Sequence, residues 1–200
     1  VSEGSRPGHS TLLIDGTAAR YKLTEEGTRQ ITALHIAGDF VDLHAFLLKT
    51  MDHGIVALSP CTVLLADHSA LKDITEKAPH LGRMLWLETL IAGSIHRAWM
   101  VAMGRQSKAS HLAHILCELF VRLQVVDRVD GMSFQFPLSQ SEMADVMGLS
   151  LVHMNRVIQA LRKENVMCME NQMVTILDWP RLQEIAEFDP LYLNLWQEPR

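Results

Sequence analysis

Between Ser150 and Lys163 the stretch SLVHMNRVIQALRK carries Arg156, Gln159 and Lys163, with His153, Asn155 and Arg162 beside them and no acidic residue. Arg can fork onto a guanine edge, Asn and Gln can pair with adenine, and Lys or Arg can neutralise a phosphate. Such types gathered on one face suit a helix read against a polyanion. Spacing decides the face: Met154, Val157, Ile158 and Leu161 stand at i, i+3, i+4 and i+7, which marks the buried side. At about 100° per residue the opposite side presents Val152, Arg156, Gln159 and Lys163. Upstream, Ser139 and Glu142 make the S-x-x-E pattern of a capping box, so a helix begins at Gln140. Gly148 then permits a sharp turn and Ser150 caps the next helix. The residues expected to meet DNA are therefore Ser139, Gln140, Ser150, Val152, His153, Asn155, Arg156, Gln159 and Lys163, with the helix of Ser150–Lys163 in the major groove. Val166 to Met169 and Met173 to Ile176 flank Glu170-Asn171-Gln172 as the hairpin of a wing.

Other groups offer different chemistry. His111, His114 and Glu118 fall at i, i+3 and i+7 on one helical stretch and could share a metal-ligating face, the mark of a metal- or redox-dependent sensor or enzyme. Neither a Cys-x-x-Cys nor a His-Glu-x-x-His accompanies them, so no metal and no enzyme activity are expected. Cys61, Cys117 and Cys168 lie far apart in no paired spacing, which argues for a reducing cytoplasm, and Cys61 reads as a strand residue, not a thiol sensor. A winged helix that binds protein or RNA is the remaining alternative, although no RNA-type aromatic motif supports it.

The elements that must position these residues follow from patterning. Of 200 residues 48% are hydrophobic, enough for one large or two modest cores, and no apolar run approaches the length of a membrane helix. A net charge of −5 excludes a protein that coats nucleic acid non-specifically, so any contact must be local. Gly16, Gly27 and Gly38 punctuate short apolar runs at Leu12–Ile14, Ala18–Leu23 and Gln30–Ile36, with further runs at Val56–Leu58 and Thr62–Ala66. Short strands of this kind are expected to close into an antiparallel sandwich or barrel. Pro79 opens a long helix in which Met84, Leu87, Ile91, Ser94, Ala98 and Val101 recur at steps of three and four, a coiled-coil-like stripe. Trp86 and Trp99 form a second apolar face, expected to lie against the β domain. Gly104 marks a hinge, and Leu112, Ile115, Leu116, Leu119 and Leu123 trace another amphipathic helix.

The run from Leu138-Ser139-Gln140 through Met143-Ala144-Asp145, Met147-Gly148-Leu149-Ser150, Asn155-Arg156 and Leu161-Arg162 resembles the helix-turn-helix of the Crp/Fnr family. Gly38-Asp39-Phe40 resembles that family's turn before its ligand-binding segment, and Gly104-Arg105 its hinge. The resemblance implies an α+β protein: a cyclic-nucleotide-binding-like β-roll over residues 1–78, a dimerisation helix over 79–104 and a winged helix-turn-helix over 105–200. It implies a homodimer on a two-fold symmetric DNA operator, with RNA polymerase as a further partner. It also aligns Val1–Gly4 with an internal strand of the roll, so an N-terminal helix and the first strands are expected to be absent. Iron–sulfur members carry their cluster cysteines in that region, which leaves that cofactor undecided. Cyclic-nucleotide binders place a Glu and an Arg where this chain has Asp42-Leu43-His44 and His53-Gly54-Ile55, so cyclic AMP is disfavoured and Asp42, His44 and His53 become the candidate effector pocket. Val152 stands where many relatives have a base-reading Glu, so their operator is not carried over.

Overall fold

Gly16, Gly27 and Gly38 all adopt positive φ (96°, 80° and 95°), backbone that a side chain would strain, and the strands fall between them. In the computed structural model, which describes residues 1–195, these strands are β1 (His9–Asp15), β2 (Ala18–Leu23) and β3 (Arg29–His35). A short helix α1 (Ala45–Leu48), β4 (Gly54–Ala57), β5 (Thr62–Asp67) and helix α2 (His68–Lys77) follow. β2 lies between β3 and β4, and β1 pairs with β5, every pairing being antiparallel. Leu13, Ala18 and Val41 form a buried cluster, with Ile55 and Cys61 packed against it. This is the expected antiparallel β architecture, while α1 and α2 add helices the patterning did not announce. Val1–Gly4, expected as an internal strand, does not form one. Val1 and Ile55 exchange backbone hydrogen bonds and the chain then turns, with Gly4 N donating to Met51 O.

The chain divides into two compact units, Val1–His96 with residues 192–195, and Arg97–Leu191. Helix α3 runs unbroken from Pro79 to Arg105. Its tryptophans do not share a face against the β domain: Trp86 is 65% exposed, whereas Trp99 is buried and donates to Glu118 of the following helix. A polar anchor for the indole N–H outweighs the expectation drawn from apolar spacing alone.

The second unit is built on α4 (Lys108–Val125), which Ser107 caps and which buries Leu112, Ile115, Leu116, Leu119 and Phe120. Around it stand β6 (Val129–Asp130), β7 (Ser133–Gln135), α5 (Gln140–Met147), α6 (Leu151–Lys163), β8 (Met167–Glu170), β9 (Met173–Ile176) and α7 (Trp179–Ala186). The strands form one antiparallel sheet in the order β6-β7-β9-β8. Among the described residues no helix is long and apolar enough to cross a membrane.

Candidate nucleic-acid interface and β-roll site

Helix α5 begins with the complete capping box: Ser139 Oγ accepts from Glu142 N, and the Glu142 carboxylate accepts from Ser139 N at 2.8 Å. Met143, Ala144, Val146 and Met147 are buried, which fixes the helix against its neighbours. Gly148 ends it in the left-handed conformation (φ 62°, ψ 44°), and two residues later Ser150 accepts from His153 N to start α6. Met154, Val157, Ile158 and Leu161 are the buried residues of α6, as their spacing predicts. Val152, His153, Asn155, Arg156, Gln159 and Lys163 are all exposed, as are Ser139, Gln140 and Ser150. All nine residues expected to face DNA are therefore exposed. Arg162 differs in role, because its guanidinium donates to the Met169 carbonyl and ties α6 to β8. The wing turns at Asn171-Gln172, both at positive φ (50° and 60°), the two-residue geometry that matches strand twist.

Of the three residues expected in the effector pocket, two meet. His44 and His53 have ring centroids 4.8 Å apart. Asp42 is fully buried, but its carboxylate accepts from Thr11 N and Thr11 Oγ1 and so secures β1. The acid that joins the pair is Asp52, whose Oδ1 lies 2.8 Å from His53 Nδ1. Burial, with Arg20 and the neighbouring imidazole adding to it, pushes His44 down to about 4. His53 is lowered as well by burial, against the pull of Asp52.

Arg20, a missed residue, is 8% exposed, and its Nε and Nη2 donate to the Val41 and Phe40 carbonyls. The β-roll therefore does hold an Arg, contributed by β2 and not by the segment around His53, and two of its donors meet backbone carbonyls. Burial lowers its pKa, while Glu88, Asp39, Asp42 and Asp52 act to raise it. Glu88 of α3 belongs to the same group: burial first, then Asp39, raise its carboxyl to about 7. A charged residue beside buried Ala18 and Ala19 in β2 was the available signal for Arg20.

The trio on α4 lies inside the helical unit. Glu118 is fully buried and accepts from Trp99 Nε1 at 3.0 Å and Arg122 Nη1 at 3.1 Å, so its oxygens are already engaged. His111 is fully buried with no hydrogen-bond partner on either ring nitrogen, and His114 stacks edge-on against Phe188. Cys61 is half-buried, with its thiol against the Thr17 and Ser59 carbonyls, and burial pushes the Cys117 thiol up to about 12.

Residues 1–78 match the family model of the cyclic nucleotide-binding domain, and residues 110–185 that of the Crp-like helix-turn-helix domain. The chain belongs to the Crp/Fnr family of DNA-binding transcription regulators. Its relatives include the transcriptional activator FnrL of Cereibacter sphaeroides, 28% identical over 193 residues that cover 94% of this chain and 77% of that protein. The nitrogen fixation regulation protein FixK of Bradyrhizobium diazoefficiens is 24% identical over 174 residues, covering 87% and 72%. The solved structure of FixK2 from Bradyrhizobium japonicum has the same fold, with a TM-score of 0.78 at 21% identity over 94% of this chain and 92% of that one. In this Crp/Fnr regulator α5 and α6 are thus the helix-turn-helix, and the His44–His53 segment lies in the cyclic-nucleotide-binding-like unit.

Proposed function

We propose that this protein acts in the cytoplasm as a homodimer on a two-fold symmetric operator, with α6 reading the major groove and the β-roll adjusting that binding to an effector. The observation that carries the reading is the exposed face of α6, where Arg156, Gln159 and Lys163 stand with no acid among them beside a wing hairpin. The exposure of α3 supports dimerisation: of the stripe Met84, Leu87, Ile91, Ser94, Ala98 and Val101, Val101 is exposed and the others are half-buried, and a second copy of the helix over 79–104 is the occupant that would cover it. RNA polymerase is the expected further partner. The domain limits follow the same reading, with the β-roll over 1–78 and the DNA-binding domain over 105–200.

Cyclic AMP is not the effector in this reading, because His53-Gly54-Ile55 stands where cyclic-nucleotide binders place an Arg, and a cyclic phosphate there would lose its charge-assisted bonds. Sequencing the fragments retained by the protein from sheared genomic DNA tests the function, and a two-fold symmetric motif is the expected result. Sedimentation equilibrium should give about twice 22.5 kDa. Retention of no sequence above background, or a monomer at high concentration, overturns the operator model. Micromolar cyclic AMP binding by calorimetry, with a matching change in DNA affinity, overturns the effector statement.

A further inference from the structure

His44 stands at the N-cap of α1, and Asp52 and His53 immediately precede β4, so the segment of α1 and the four residues after it leaves and returns to one point. Each of the three side chains offers a donor atom, and these atoms lie within 4.8 Å of one another. His53 is 9% exposed, and its Nδ1 already faces Asp52. Nε2 of His44 and Nε2 of His53 are both buried with no hydrogen-bond partner. A buried polar nitrogen left without a partner costs about 1–3 kcal/mol, and a ligand taken up by these groups would offset that cost.

We propose that His44, Asp52 and His53 bind one divalent transition-metal ion of the zinc class. Two imidazoles and a carboxylate are the ligand types that zinc takes at sites keeping a fourth position open. In a tetrahedral site the donors lie about 3.3 Å apart, so closure from 4.8 Å falls within side-chain rotation. The carboxylate of Asp52 supplies negative charge at the site, and two cations of the roll are held by other groups: Arg20 donates to the Val41 and Phe40 carbonyls, and Lys22 Nζ to the Asp52 carbonyl and the Glu3 carboxylate. Binding would join the start of α1 to the start of β4 and so close the loop that carries exposed Leu47 and Leu48. This site stands on its own geometry and does not depend on how α6 binds DNA.

The test uses untagged full-length protein, stripped with a chelator and titrated with Co²⁺ and then Zn²⁺. One Co²⁺ per chain with intense visible bands, displaced by one Zn²⁺, is the expected result. Asp52→Asn should weaken binding by roughly 10- to 100-fold, and the His44→Ala/His53→Ala double variant should abolish it. His111→Leu, on α4, should leave it unchanged. Circular dichroism and melting of the stripped variants establish that they are folded. No saturable Co²⁺ signal in the folded wild type, or a signal undiminished in the double variant, overturns the site. Retention of sequence-specific DNA binding in either case leaves the regulator reading intact, so the two fail separately.

Discussion

Trp99 Nε1 donates to Glu118 Oε2 across 3.0 Å with both side chains buried, and Arg122 Nη1 meets the other carboxylate oxygen at 3.1 Å. The three residues join the end of α3 to α4 and form the buried polar centre of the helical unit. A charge taken from water and paired in this way adds little net stability, but losing one partner leaves the others stranded.

Glu118→Ala should therefore destabilise the unit by about 3–5 kcal/mol, because the Arg122 guanidinium stays buried without its carboxylate. Trp99→Phe should cost about 1.5–3 kcal/mol, the range for a hydrogen bond to a charged group. Urea unfolding followed by far-ultraviolet circular dichroism measures both. A Glu118→Ala variant within about 1 kcal/mol of wild type would show that the pair does not hold the helices together.

Acid should weaken the protein through His111. Burial, with Lys108 and His114 adding to it, lowers the imidazole to about 4 from an ordinary 6.5. The unfolded chain therefore binds the extra proton first, and stability falls as pH drops from 6.5 towards 4. The full shift corresponds to about 3 kcal/mol. His111→Leu should flatten that arm of the stability–pH curve, and parallel curves for variant and wild type would assign the acid sensitivity elsewhere.

The helix-turn-helix was legible because its signals are local. The Ser139–Glu142 box, Gly148 in the left-handed region and the apolar period of Met154 to Leu161 each act within a few residues. β6 and β7 were not legible: they span two and three residues, and β7 owes its place to Ser133 and Phe134 pairing with Thr175 and Val174 of β9. α2 begins directly at the end of β5, with Asp67 making no side-chain cap to announce it. In the β-roll, His44 and His53 stood out as residue types, but Asp52 could be chosen over Asp42 only once Thr11 was seen to occupy Asp42. Trp86 shows the opposite failure, since apolar spacing on α3 says nothing of which face a neighbour covers.

Gly54 should resist enlargement. A Cβ there would lie 2.3 Å from the Tyr21 ring, which covers the start of β4 next to His53. Gly54→Ala is expected to cost about 1–3 kcal/mol through overpacking. Tyr21→Ala in the same chain should recover part of that loss, read as a coupling term in a double-mutant cycle. Additive costs would show that the ring moves aside freely.

Arg156 and Lys163 should do different jobs on one helix face. Both are exposed on α6, but Arg156 lies in the half nearer the Ser150 cap, which enters the groove in helix-turn-helix proteins, while Lys163 ends the helix about two turns later. If Arg156 forks onto a guanine, Arg156→Ala should cost about 1–3 kcal/mol of specific binding and relax preference at one position in each half-site. If Lys163 meets only phosphate, Lys163→Ala should weaken specific and scrambled duplexes alike and reduce the salt slope by about one charge per subunit. Neither change should unfold the domain, because the buried side of α6 is Met154, Val157, Ile158 and Leu161. Salt titrations of each variant on both duplexes separate the roles. An Arg156→Ala variant that weakens both duplexes equally and keeps its base preference would place Arg156 among the phosphate contacts, and Gln159 and Asn155 would then be the next side chains to test as base readers.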